Sequence, residues 1–180
     1  MKHYEVCDSV FSGEECDRII DYAENFPQVP GKVTSGLNRE SRSSYIRWVP
    51  RSEQTSWIYD RVMASAWKAN LFKWMFDING CEEAFQFSAY GEDQYYLWHM
   101  DIGEREASLR KLSVSVQLSD PEDYDGGDLL LQSGRKPEGM SRNRGSVIIF
   151  PSYTLHSVSK VTRGRRCSLV LWITGARGYR

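Results

Sequence analysis

The chain opens with two stretches of helical spacing and then changes period. In "SVFSGEECDRIIDYAENF", Cys16, Ile19, Ile20 and Ala23 recur at three- and four-residue intervals. Ser12 stands where an N-cap hydroxyl would, with Glu15 three residues on as in a capping box, so the spacing predicts a helix over about 13–25, ended by Pro27. "SEQTSWIYDRVMASAWKANLF" repeats the pattern, with Ser52 as the expected cap and Trp57, Ile58, Val62 and Trp67 as an apolar face. It predicts a second helix over roughly 53–70. Between them "YIRWV" reads as a short strand. From about residue 73 the texture is one of short strands rich in β-branched and aromatic residues: "FQFSAY", "YYLWHMD", "KLSVSVQLS", "DLLLQ", "SVIIF", "LHSVSKV" and "RCSLVLWIT". Gly, Pro and Asp turns divide them. Two helices followed by seven or more strands predict a mainly β fold, a sandwich or jelly roll backed by the helices. No linker divides the 180 residues, so one domain is expected, with helical support over about 13–72 and a β core over about 84–175.

Composition narrows the class. The net charge of −1 gives no reason to expect nucleic acid or an anionic membrane as partner. No apolar run is long enough to span a bilayer, and "MKHYEVCDSVFSGEEC" lacks the apolar core of a secretion signal. Cys7, Cys16, Cys81 and Cys167 are scattered, without a CxxC pair, and read as reduced thiols. The expected setting is cytoplasmic.

The chemistry concentrates on few residues. In "YYLWHMDIG" His99 and Asp101 are two apart, so on a strand they would share a face while Trp98 and Met100 look the other way. Taken alone, a three-residue pattern reads first as an ordinary hydrogen-bonded pair on a sheet edge. His156, at the start of the strand after Pro151, is the other motif-grade histidine, whereas His3 reads as incidental. Two histidines and one carboxylate on strands form the ligand set of a non-haem Fe(II) site with open positions, whereas structural zinc would call for a closed shell, usually with cysteine. In "TRGRRCSLVLWITG" the Arg-Gly turn leads into a strand on which Arg166, Ser168, Val170 and Trp172 share one face, and Cys167, Leu169, Leu171 and Ile173 the other. A buried arginine calls for an anion, and guanidinium matches a carboxylate in a bidentate way. Arg166 is therefore the candidate anchor for an acidic co-substrate, while Arg163 and Arg165 read as a solvated turn.

With "YGEDQYYLWHMD", "SVQLSDPEDYDGGDLLL", "RGSVIIFPSYTLHSV" and "GRRCSLVLWI" on the page, the chain resembles the 2-oxoglutarate and Fe(II)-dependent dioxygenases of the prolyl 4-hydroxylase type, nearest to the PKHD-type hydroxylase branch. "FSGEECDRII" resembles that family's first helix and "SRSSYIRWV" the strand before its second. The resemblance implies a double-stranded β-helix, a cupin-like jelly roll. It implies that His99, Asp101 and His156 ligate iron and that Arg166 holds the distal carboxylate of 2-oxoglutarate. Tyr90 would line the co-substrate pocket, and Gln117 stands where some relatives carry a tyrosine that donates to that carboxylate. Trp172, Tyr96 and Val158 would line the substrate pocket. Some relatives carry lysine in place of Arg166, so collagen-like substrates do not follow.

What the resemblance implies about function is oxidative decarboxylation of 2-oxoglutarate to succinate and carbon dioxide, coupled through dioxygen to hydroxylation of a C–H bond. Ascorbate is a candidate reductant. Retention of Asp101 argues against halogenation. A peptidyl prolyl residue leads as substrate. A free amino acid or small metabolite, nucleic-acid demethylation and a non-catalytic cupin-like binding module are the alternatives, and oligomeric state is not readable. Two polar loops, 31–44 and 132–145, carry Arg39, Arg42, Arg135, Lys136, Arg142 and Arg144, which either steer an anionic or peptide substrate or simply solvate the surface.

Overall fold

The computed structural model describes residues 3–31 and 41–179. In chain order the elements are β1 (Glu5–Cys7), α1 (Gly13–Glu24), β2 (Val29–Pro30), β3 (Arg42–Ser43), β4 (Tyr45–Val49), α2 (Ser56–Lys73), β5 (Phe85–Tyr90) and β6 (Tyr95–His99). A 3₁₀ turn over Arg105–Leu109 leads into β7 (Arg110–Gln117), β8 (Tyr124–Gly126), β9 (Leu129–Leu131), β10 (Glu138–Gly139), β11 (Val147–Pro151), β12 (His156–Val158), β13 (Val161–Gly164) and β14 (Arg166–Thr174). All pairings are antiparallel. The large sheet runs β1-β11-β7-β14-β5-β4-β2, the facing sheet β10-β9-β12-β6-β3, and β13 pairs with β8. This mostly β architecture with two helices is the expected jelly-roll type.

The period-2 pattern explains how the layers divide. Leu112, Val114, Val116, Phe85, Phe87, Leu169 and Leu171 point outward from the large sheet into one core with Cys16, Ile19 and Ala23 of α1 and Ile58, Val62 and Ala66 of α2. Their alternates, Ser113, Ser115, Gln117, Gln86, Ser88, Arg166 and Ser168, turn to the inner face and are buried as well. Burying polar groups is costly unless each is bonded, so a polar inner face on three central strands marks a functional interior. A smaller cluster of Tyr4, Leu129, Leu131, Met140, Ile148 and Phe150 closes one end of the space between the sheets.

Helix α1 starts as predicted: Ser12 Oγ accepts from the Glu15 N–H and Glu15 returns the bond to the Ser12 N–H. Helix α2 begins three residues later than Ser52 suggests. Thr55 takes the cap position, and its hydroxyl is occupied by the Ser52 N–H and the Pro50 carbonyl. Trp67 is not on the buried face of α2; it is 46% exposed. The face that meets the sheet is Ile58, Val62, Ala66 and Ala69, whose small residues let the helix lie close, and Trp67 is one helical step round from Ala66.

Candidate active site

The two histidines meet because β12 and β6 are adjacent and His156 lies directly opposite His99 in the register. Each ring is oriented by its own strand: His99 Nδ1 bonds the Leu97 carbonyl at 2.8 Å and His156 Nδ1 the Thr154 carbonyl at 2.9 Å. A carbonyl accepts only, so Nδ1 carries a proton in both rings and Nε2 is the atom that turns to another partner. Both Nε2 atoms face Asp101, at 3.7 Å from Oδ1 for His99 and 3.5 Å from Oδ2 for His156. One ligand atom from each of the three residues lies within 4.8 Å of the others. Donors bonding one ion at about 2.1 Å sit at most about 4.2 Å apart, and both histidine–aspartate distances, 3.7 and 3.5 Å, fall inside that limit. Two imidazoles and a carboxylate, with no sulfur, fit Fe(II).

Burial pushes the His99 imidazole down to about 3, with His156 adding to the shift and Asp101 opposing it. The ring is thus neutral, with its lone pair available, throughout the physiological range. The Asp101 carboxyl is held below its ordinary range; burial works against ionisation, and the two imidazoles with the Ser113 hydroxyl, 2.6 Å from Oδ2, outweigh it. Tyr96 stacks on His99 with ring centroids 3.5 Å apart, and Arg42 covers the other side of Tyr96 at 4.4 Å. Phe150 meets His156 edge-on.

The three residues open into a cavity of about 200 Å³ between the sheets. Arg166 reaches the same space from β14 and is 2% exposed. Its Nη2 donates to Gln117 Oε1 at 3.0 Å and its Nη1 lies 3.4 Å from Ser168 Oγ, while Tyr90 lies 5.8 Å beneath the guanidinium. Among the described residues no carboxylate pairs with it. Gln117 Nε2 and Trp172 Nε1 are buried N–H donors without partners; the Trp172 indole lies near enough to Asp101 to help lower its carboxyl, but not in hydrogen-bonding geometry. A cavity that holds the Arg166 guanidinium, without a carboxylate partner among the described residues, and the spare Trp172 indole donor fits an oxygen-rich diacid such as 2-oxoglutarate. The Asp-Gly-Gly turn serves this geometry. Gly126 and Gly127 have φ of +69° and +64°, and a Cβ on Gly127 would lie 3.1 Å from the Arg166 stem.

Of the residues expected from the sequence, His99, Asp101, His156, Arg166, Tyr90, Tyr96, Val158 and Trp172 all line this cavity. Gln117 does not line it and reaches it only through Arg166. His3 is exposed and apart. Met100 lines the cavity mouth rather than facing away, because β6 ends at His99 and strand alternation no longer governs it. Arg42 is a buried wall residue on β3, not a solvated loop charge. Arg142 and Arg144 are structural: Arg142 donates to the Pro121 and Tyr124 carbonyls, and Arg144 to Leu118, with Asp17 as its ion partner. Arg135 and Lys136 are exposed, as are Arg163 and Arg165, and Arg39 lies outside the described residues. Sequence reading missed Ser113, Arg110 and Gln86. The signal was present for Ser113 and Gln86, as polar alternates in otherwise apolar strands.

Comparison with known proteins comes to the same place. The profile of the 2OG-Fe(II) oxygenase superfamily matches residues 85–174. A PKHD-type hydroxylase of Stutzerimonas stutzeri is 28% identical over 178 residues, covering 92% of this chain and 75% of that protein. One from Alteromonas mediterranea is 38% identical over 93 residues, 48% of this chain and 41% of that protein. The chain therefore matches well under two thirds of the length of some of these relatives. A Trichoplax adhaerens prolyl hydroxylase, solved with a peptide fragment of the hypoxia inducible factor oxygen degradation domain, superposes with a TM-score of 0.79 at 15% identity, over 97% of this chain and 84% of that one, and so shares the fold. The profile spans half of the chain and contains the histidine–aspartate group, most of the cavity lining and Arg166, and this chain belongs to the 2OG-Fe(II) oxygenase superfamily.

Proposed function

We propose that the chain is an Fe(II)- and 2-oxoglutarate-dependent dioxygenase that hydroxylates a peptidyl prolyl residue and releases succinate and carbon dioxide. The observation that carries the reading is Arg166. It is a buried guanidinium with only neutral partners among the described residues, and it shares one cavity with two imidazoles and a carboxylate aimed at a common point. Such an arginine is costly until an anion meets it.

His99, Asp101 and His156 hold the metal, and Arg166 takes the far carboxylate of the co-substrate, which turns a loose encounter into a positioned one. Gln117 fixes the guanidinium plane through Oε1. Tyr90 walls the co-substrate space, Val158 walls the substrate side of the cavity, and Tyr96 braces His99. Iron with 2-oxoglutarate and dioxygen supplies the oxidising power for C–H hydroxylation, and ascorbate is assigned as the reductant that keeps the iron ferrous. At the mouth Trp48 and Met100, with the buried Trp172 beside Trp48, offer apolar surface suited to a pyrrolidine ring in an extended peptide. The names of the PKHD-type relatives support hydroxylation, and the peptide-bound prolyl hydroxylase neighbour supports a prolyl substrate. Residues 1–180 are read as one such domain, because both helices share their core with the large sheet. A cytoplasmic setting is supported by the four free thiols. Among the described residues no helix is long and apolar enough to cross a membrane.

The test is an anaerobic titration of the apo-protein with Fe(II) and 2-oxoglutarate, following the visible metal-to-ligand charge-transfer band beside Asp101→Ala. Succinate release is then measured with prolyl peptides, free amino acids and methylated oligonucleotides in parallel. A band that fades in the variant, with succinate released on prolyl peptides, is the expected result. Absence of the band in folded, metal-loaded protein overturns the dioxygenase reading. Release driven only by free amino acids or by oligonucleotides overturns the prolyl substrate.

A further inference from the structure

Asp101 lies two residues beyond the end of β6, so no sheet ladder holds its backbone. Its direction comes from three separate contacts. Its N–H donates to the Ser152 carbonyl at 3.0 Å, its Oδ2 accepts from Ser113, and its own carbonyl accepts from Arg110 Nη1 at 3.1 Å. Arg110 is in turn gripped by Glu83 from the segment before β5: Nε to Oε1 at 2.7 Å and Nη2 to Oε2 at 2.5 Å. The side chains are only 14% and 28% exposed. The Arg110 guanidinium carbon also lies over the Trp172 ring, 3.8 Å from its centre.

We propose that Glu83 is a positioning residue for the metal site: by clamping Arg110 it fixes the Asp101 main chain and the Trp172 ring on either side of the guanidinium. This rests on the reading that His99, Asp101 and His156 hold a metal. A bidentate, charge-assisted pair sets the guanidinium plane as a single hydrogen bond cannot. One plane serves two contacts, the Asp101 carbonyl at its edge and the Trp172 indole at its face. Without Glu83 the guanidinium can rotate about its stem, and the loop that begins at Asp101 loses one of its three ties. Groups that orient a ligand in this way typically govern roughly 10- to 100-fold in metal affinity.

The experiment compares wild type, Glu83→Gln, Glu83→Asp and Glu15→Gln. Glu15→Gln breaks a comparable ion pair, Arg61–Glu15 at 2.7 Å, far from the cavity. Co(II) affinity is measured by calorimetry and the anaerobic Fe(II)–2-oxoglutarate band by absorption, with thermal midpoints alongside. Glu83→Gln is expected to bind Co(II) about tenfold more weakly and to shift or broaden the band, as orienting groups do. Glu83→Asp should recover most of the affinity, and Glu15→Gln should match wild type in both signals. Equal Co(II) affinity and an unchanged band in Glu83→Gln overturn the proposal, as does a weakening no larger than that of Glu15→Gln at an equal drop in midpoint. If wild type binds no metal, the functional reading falls and this proposal falls with it, so the two failures are told apart by which protein shows the defect.

Discussion

Arg166→Met separates a structural arginine from one kept for a ligand. In the free protein the guanidinium is buried among neutral groups, with Gln117 Oε1 and Ser168 Oγ as partners. Replacing such a charge by an apolar chain of similar length relieves about 1–4 kcal/mol of desolvation. Leaving Gln117 Oε1 without its donor costs about 1–3 kcal/mol. The two nearly cancel, so the thermal midpoint should move by only a few degrees, at about 2–4 °C per kcal/mol for a chain of this size. With 2-oxoglutarate the balance is different. Removing one partner of a desolvated ion pair costs about 3–5 kcal/mol, which at about 1.4 kcal/mol per decade is roughly 10²- to 4 × 10³-fold in affinity. Calorimetry of 2-oxoglutarate binding to Co(II)-loaded protein measures that loss, and differential scanning fluorimetry measures stability. Co-substrate affinity within about threefold of wild type, less than 1 kcal/mol, would refute the assignment of Arg166, and a collapse in midpoint at unchanged affinity would show that the arginine serves the fold.

Ser113→Ala removes the hydroxyl that donates to Asp101 Oδ2, and Co(II) affinity is expected to fall by roughly tenfold, read by calorimetry. Acid should destabilise the apo-protein. The unfolded chain protonates His99 near its ordinary value of 6.5 while the folded protein waits until about 3, so there is no penalty above 6.5 and a growing one as pH falls toward 3. Thermal midpoints from pH 7.5 to 4 should show this decline, and His99→Gln should flatten it. Burial pushes the thiols of Cys16 up to about 11 and Cys81 up to about 12, and raises Cys7 and Cys167 as well. At pH 8 the native protein should therefore react slowly with a colorimetric disulfide reagent and the denatured protein should titrate four thiols at once.

The residues that bind were more legible than the residues that position them. His99, Asp101, His156 and Arg166 stand out because a carboxylate or cation within apolar, aromatic strands has few bland explanations, and all four converge on one cavity. Ser113 and Gln86 sit in strands whose alternation was readable, but a serine alternating with valines does not announce that its hydroxyl meets an aspartate. Arg42 reads as a loop charge because its neighbours are polar, and only pairing with Tyr96 across β3 and β6 makes it a wall residue. Thr55 displaced Ser52 as the helix cap because local turn bonds decide among adjacent hydroxyls.

By itself the sequence determined what depends on neighbours along the chain: the α1 capping box, the two-residue period that sends Leu112, Val114 and Val116 to the helices and Ser113, Ser115 and Gln117 inward, and the glycine turn beside Arg166. Tertiary structure decided what depends on register between distant strands. It set His156 opposite His99, brought Gln117 of β7 to Arg166 of β14, and let Glu83 reach Arg110 and, through it, the carbonyl of Asp101. Side-chain period is a property of one strand, whereas a metal site needs three donors within a few ångströms. That proximity comes from the sum of many cross-strand contacts and cannot be read from any one of them.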